Sequence, residues 1–329
     1  MGIFSDIYIL KLPGYGNTNA DMENMYSTCR LCPRLCGADR IAGRNGRCGE
    51  SAELRLAFAG LHMGEEPPLS GKGGSGTIFV SGCNLGCACC QNWQISGGGR
   101  AEGERLGRAV SAEEFAAICF ALQDRGAENI NVVTGSHAIP AIAQGLRAVK
   151  TGGLRIPALW NSSGYESVAA LALLDGLVDT WLPDLKTLDS SLAARLFGAP
   201  DYPQAAQAAI RWMLANRPQE VIVRHLILPG CLESTRSVLR WFAENAGGAP
   251  LSLMSQYTPM DKASDVPNRF VSRREYETVL GWLEEFGIED GFCQELVVGS
   301  DWLPDFRRPN PFSSELSVPV WHFSGQNVV

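Results

Sequence analysis

Cys83, Cys87 and Cys90 form a C-x3-C-x2-C run directly after the apolar stretch Thr77–Val80. Thiols crowded at this spacing pack poorly as core and bind soft metals well. Three protein ligands leave a coordination position open for a substrate or cofactor, which separates a catalytic metal centre from a closed structural one. A structural zinc site and a plain thiol cluster are the alternatives. Cys29, Cys32, Cys36 and Cys48 form a second group, C-x2-C-x3-C-x11-C. Four thiolates suit a zinc knuckle or an auxiliary iron–sulfur cluster, and spacing does not separate the two. Cys119, Cys231 and Cys293 are scattered and read as small buried hydrophobes. Eleven cysteines, an odd number clustered at metal spacing, fit metal binding better than a disulfide framework.

These groups need a scaffold, and the chain alternates strand and helix signals from the first cysteine run onward. Strands are expected at 77–81, 129–135, 156–163, 178–185, 220–228 and 251–257. Helices are expected at 111–126, 138–150, 166–174, up to about 216, at 233–245 and at 272–286. Ser111 with Glu114, and Ser272 with Glu275, have the spacing of capping boxes. Six β-then-α units imply a parallel sheet, because each crossover helix returns the chain to the same edge. Six is short of a complete eight-unit barrel.

Parallel α/β folds carry their chemistry at the carboxyl ends of strands. Those ends here hold the three cysteines, Thr134-Gly-Ser136-His137, Asn161-Ser-Ser163, Asp184 with Lys186, Arg224 with His225, and Gln256 with Tyr257. Each has a plainer reading. Thr134–His137 could only cap the next helix, Asp184 and Lys186 could be a surface ion pair, and His225 a hydrogen-bonded core histidine. Arg224 and His225 are strand neighbours, so at most one of them faces the barrel interior.

Composition narrows the class. The chain has 329 residues, 45% of them hydrophobic, enough to bury a full core. A net charge of −7 without a basic block argues against nucleic acid or an anionic membrane surface as main partner. No apolar run reaches a membrane span, and the N-terminus has neither a secretory signal nor the Ser or Thr that myristoylation needs. A cytoplasmic enzyme is expected.

Cys83-NLG-Cys87-AC-Cys90 resembles the C-x3-C-x2-C signature of the radical S-adenosylmethionine superfamily. The flanking text, HMGEEPPLSGKGGSGTIF, CQNWQIS, GAENINVV, WNSSGYE, LPDLK, VRHLILPG, MSQYTP and ELVVGSDWLPDF, resembles its pyruvate formate-lyase-activating-enzyme-like branch over roughly residues 29–306. The resemblance implies a partial, six-unit (β/α) TIM-like barrel. The expected organisation is an N-terminal tail (1–28), a four-cysteine metal-binding module (29–60), the barrel (61–290) and a C-terminal extension packed on it (291–329).

It also implies a mechanism. Cys83, Cys87 and Cys90 would bind three irons of a [4Fe-4S] cluster, with S-adenosylmethionine on the fourth. One-electron reduction from a flavodoxin- or ferredoxin-type donor would yield a 5′-deoxyadenosyl radical that abstracts hydrogen from a substrate, one option being the glycine of a glycyl radical enzyme. In the superfamily a Gly-Gly-Glu element meets the methionine amino group. Here that place reads Thr134-Gly135-Ser136-His137, so hydroxyl and backbone groups would have to serve. Asp184 and Lys186 match an Asp-x-Lys element near cofactor and substrate, which gives them the catalytic role. Asn92, Asn161, Ser163 and Gln256 are the further pocket residues. The alternative from another class is a non-catalytic iron–sulfur electron carrier or assembly protein that kept the barrel.

The residue before the third ligand is normally aromatic in this superfamily and packs on the adenine; here it is Cys89. Spacing assigns the third ligand to Cys90. Replacing Cys90 by Ala is therefore expected to abolish cluster assembly, while Cys89→Ala leaves iron and sulfide content near normal. Iron and sulfide analysis of the two reconstituted variants checks this, and the reverse result overturns the register.

Overall fold

A computed structural model describes residues 25–96, 106–260, 268–296, 298–300 and 302–325. Nearly all of the expected tail at 1–28 lies outside them.

Parallel pairing organises the fold. β2 (Ser75–Val80), β4 (Ile130–Val133), β5 (Ala158–Ser162) and β6 (Thr180–Pro183) run parallel in that order. β7 (Val223–Leu226) and β8 (Leu251–Met254) continue the series. Parallel bridges Trp181–Val221 and Asp184–Arg224 join β6 to β7, so the wall is continuous. Strands such as Ile130-Asn-Val-Val133 are buried along their whole length, as expected when helices cover one face and a barrel interior the other. The mainly parallel α/β sheet fits a partial TIM-like barrel.

The crossover helices are α1 (Ala112–Asp124), α2 (Ile139–Thr151), the single turn α3 (Val168–Leu171), α4 (Ser190–Phe197), α5 (Tyr202–Asn216), α6 (Leu232–Asn245) and α7 (Arg273–Glu285). Ser272 and Glu275 complete the capping box of α7. Ser111 caps α1 by accepting from the Glu114 amide at 3.2 Å, but the Glu114 carboxylate turns to Arg108.

Sequence reasoning missed four strands among the described residues, two of them long. β1 (Arg55–His62) pairs antiparallel with β2 and crosses the 60/61 boundary. Its sequence, Arg-Leu-Ala-Phe-Ala-Gly-Leu-His, has little β-branching and is buried on both faces, so no period-two signal arises. β10 (Ser317–His322) pairs antiparallel with β1 and contains Pro319, which suits an edge strand. A two-residue strand, β3 (Arg108–Ala109), also pairs with β1. Within the segment expected as an extension, β9 (Gly291–Cys293) pairs parallel with β8, so the alternation runs one strand further than expected.

The main core holds Trp160 and Trp181, both fully buried, with Trp181 edge-on to Trp212. A satellite core packs Phe306 and Phe312 against Phe58 and Phe79; the Phe79 and Phe306 rings meet at 5.3 Å and 61°. These rings pin the segment before β10 across β1 and β2.

Candidate active site

The carboxyl ends of the parallel strands open on a cavity of about 840 Å³, within the range of cofactor and substrate sites. Cys83, Cys87, Cys89 and Cys90 line one wall. The loop that carries them leaves β2 through Gly82, at φ +86°. A Cβ there would stand 2.4 Å from Glu50 Cγ and 2.9 Å from His137 Nε2, so only glycine fits. The loop is then tied down: Asn84 donates to the Tyr165 carbonyl at 2.7 Å, and the Cys90 amide donates to the Cys87 carbonyl at 3.2 Å.

Burial pushes the Cys90 thiol up to about 11, with the Cys83 thiol adding to the rise. Cys87 is raised further by burial and by Cys89, Cys90 and Cys83, against the lowering influence of Lys186. These are neighbours that resist ionising together, and a metal that binds thiolates would remove that cost. Among the described residues no three His, Cys, Asp or Glu side chains already close on one point. Side-chain rotation would have to complete the set. Three thiols on one wall of a cavity this size fit a [4Fe-4S] cluster with a cofactor beside it.

The opposite walls are polar. Thr134 lines the cavity at φ +62°, a conformation a β-branched residue adopts at a cost, and its amide donates to the Asn161 carbonyl at 2.9 Å. Asn161 and Ser163 stand beside it; Ser163 Oγ is buried with no hydrogen-bond partner among the described residues. Asp184 and Lys186 form an ion pair on the wall. Burial disfavours the Lys186 charge, but Asp184 and Cys87 more than compensate and hold its pKa above the ordinary lysine value. The Tyr202 hydroxyl sits 2.9 Å from the Ser163 and Asp184 carbonyls and accepts the Lys186 amide at 2.9 Å. One phenol thereby fixes the ends of β5 and β6. Gln256 also lines the cavity; its carbonyl accepts from Gln91 and its side chain from Gln294. The Asn92 carbonyl accepts from the Ile95 and Ser96 amides, opening the short helix Trp93–Ser96 beside the cysteines.

Ser136 and His137 do not line the cavity. The Ser136 hydroxyl donates to Glu166, whose carboxyl burial raises to about 7. His137 Nε2 meets the Ser81 carbonyl at 2.8 Å, and burial, with Arg40 nearby, lowers its pKa to about 3. A neutral imidazole thus braces the strand end before the cysteine loop.

A buried charge cluster escaped sequence reasoning. Arg224 projects from β7 into the cavity and donates to Glu66 Oε1 at 2.8 Å and Glu65 Oε2 at 2.5 Å. Burial opposes ionisation of Glu66, yet Arg224 holds its pKa below the usual carboxylate value. Asn131 donates to the other Glu65 oxygen at 3.0 Å. The sequence signal was that Arg224 and His225 close a strand and that at most one of them faces inward. It is Arg224: His225 lies on the far side, against the Leu185 carbonyl at 2.7 Å and Thr235 Oγ1 at 3.0 Å.

Comparison with known proteins follows from this geometry. The family model described as the radical SAM superfamily matches residues 77–241. An uncharacterized protein of Methanocaldococcus jannaschii is 30% identical over 277 residues, covering 81% of this chain and 77% of that protein. The crystal structure of a radical SAM methyltransferase from Sphaerobacter thermophilus superposes with a TM-score of 0.50 at 18% identity, covering 67% of this chain and 66% of that one. The crystal structure of methylornithine synthase gives 0.46 at 14% identity, covering 75% and 73%.

Replacing Arg224 by Met leaves two buried carboxylates without their cation and is expected to cost about 3–5 kcal/mol at neutral pH. In the native protein the Glu66 pKa is depressed, so its contribution is full above the unfolded carboxylate value, about 4.3, and is lost as pH falls through the lower folded value. In the variant burial without Arg224 raises the Glu66 carboxyl, and its protonation relieves the cost. Urea unfolding at about pH 7 and about pH 5 is expected to show the gap between the two proteins narrowing with acid.

Proposed function

The chain belongs to the radical SAM superfamily, and on that premise we propose that it cleaves S-adenosylmethionine reductively at a [4Fe-4S] cluster held by Cys83, Cys87 and Cys90, and abstracts hydrogen from a substrate bound in the same cavity. The carrying observation is that the three thiols and the polar strand ends share one cavity. When bound, the reduced cluster supplies the electron that breaks the sulfonium and releases a 5′-deoxyadenosyl radical.

The chain's own residues bind, orient and exclude water. Three thiolates leave one iron for the cofactor. The Lys186 ammonium offsets negative charge at Cys87, which favours the reduced state of a centre beside it. Ser163 Oγ is an unspent hydrogen-bonding group among Thr134 and Asn161, suited to the polar end of the cofactor. Two carboxylates against one guanidinium leave the Glu65–Glu66–Arg224 cluster with excess negative charge, a counterweight for a sulfonium. Leu85, Ile95, Val133 and Met254 supply apolar wall that keeps water from a radical.

The finer reading, activation of a glycyl radical partner, rests on the succession of motifs and on the Asp184–Lys186 pair. The likeness to the methyltransferase is one of fold and carries no methyl acceptor with it.

The protein reconstituted with iron and sulfide and reduced anaerobically is expected to convert S-adenosylmethionine to 5′-deoxyadenosine and methionine, with Cys90→Ala inactive. No 5′-deoxyadenosine from fully loaded, reduced protein would sink the proposal and favour the electron-carrier alternative. Glycyl radical formation on a partner is a separate readout, by electron paramagnetic resonance.

A further inference from the structure

The four N-terminal cysteines lie outside the cavity lining, and their side chains do not already close on one point. Cys29, Cys32 and Cys48 are buried, and Cys36 is exposed. A methyl built on Gly46 would touch both Cys48 Sγ at 3.2 Å and Cys36 Sγ at 3.4 Å. The Cys36 thiol is also within hydrogen-bonding reach of Cys29. The backbone shapes this neighbourhood: the Cys29 amide donates to the Ala38 carbonyl at 3.0 Å, and the Gly37 amide to the Cys29 carbonyl at 2.9 Å. Arg40, 2% exposed, approaches Cys29 Sγ at 3.8 Å and stacks on Tyr26, placing a positive charge where several thiolates would gather.

The same segment grips the cysteine loop. The Cys83 amide donates to the Cys48 carbonyl at 3.2 Å. Arg34 donates to the carbonyls of Asn84 at 2.8 Å and Leu85 at 3.0 Å, and beyond the loop to that of Phe197 at 2.7 Å. Arg40 donates to the His137 carbonyl at 2.8 Å.

We propose that Cys29, Cys32, Cys36 and Cys48 hold one tetrahedral zinc ion, and that this site braces the Cys83–Cys90 loop from behind through Arg34 and the Cys48 carbonyl. The Cys36 and Cys48 sulfurs each stand within 3.4 Å of one point beside Gly46, and four thiols supply the full tetrahedral set of a single zinc ion, with metal–sulfur bonds of about 2.3 Å. Four ligands close the site, so its role is structural. The bracing step rests on the cluster assignment above; the zinc step does not.

The full chain carrying Cys83→Ala, Cys87→Ala and Cys90→Ala is expected to purify anaerobically with about one zinc per chain and no iron or sulfide. Adding Cys29→Ser and Cys32→Ser is expected to remove the zinc. Iron with sulfide in its place, no metal, or zinc that survives the serine changes would each overturn the site.

Bracing is read in the protein with all its cysteines. Arg34→Ala is expected to retain zinc yet lose cluster iron to a chelator roughly tenfold faster, as loss of an outer partner of a metal site does. Arg34→Lys, a point charge that cannot bridge several carbonyls, is expected not to rescue. Should Arg34→Ala not fold, Arg34→Gln takes its place. Iron loss at the unaltered rate overturns the brace while leaving the zinc and the S-adenosylmethionine chemistry standing.

Discussion

Parallel register is the constraint on which everything else here depends. Antiparallel neighbours would deliver alternate strand ends to opposite edges. The parallel pairing of β2, β4, β5 and β6, carried on through β7 and β8, sends every carboxyl end to one edge. Residues far apart in sequence, Cys83, Thr134, Asn161, Asp184, Arg224 and Gln256, thereby face one cavity. Their geometry is then refined by single hydrogen-bonding groups, above all the Tyr202 hydroxyl between the ends of β5 and β6.

Charge is the second constraint. Two ion groups sit on the cavity wall, Asp184 with Lys186 and Arg224 with Glu65 and Glu66. Desolvation opposes the charges of Lys186, Arg224 and Glu66, and these survive because their partners are held by the fold. Such pairs do little for overall stability. They do preset the field that a charged cofactor meets, with no reorganisation needed on binding.

Much of this was legible in the chain. The cysteine spacing, the repeated strand–helix alternation and the polar residues closing each strand are local signals, and local signals survive in one dimension. Glu65 and Glu66 were invisible as site residues because their partner lies 159 and 158 positions away in sequence. Ser136 and His137 looked like part of the site since they follow a strand end. The chain turns at Thr134 and directs them behind the wall, to Glu166 and Ser81. β1 and β10 were hidden for another reason: full burial removes alternation from β1, and a proline disguises β10.

The pairing of β10 with β1, together with Phe306 and Phe312 lying over Phe58 and Phe79, sets an order of events in the life of the chain. Synthesis runs from the amino end, so β1 and β2 leave the ribosome long before the strand and rings that cover them. Until then the strand that launches the cysteine loop has one side bare. The surroundings of the cysteine loop are thus finished only after residue 322 has been made, and before that the pocket is half built. Contacts of this sequence separation also fold slowly. The Cys83–Cys90 loop thus has its complete backing only once the far end of the sheet is in place.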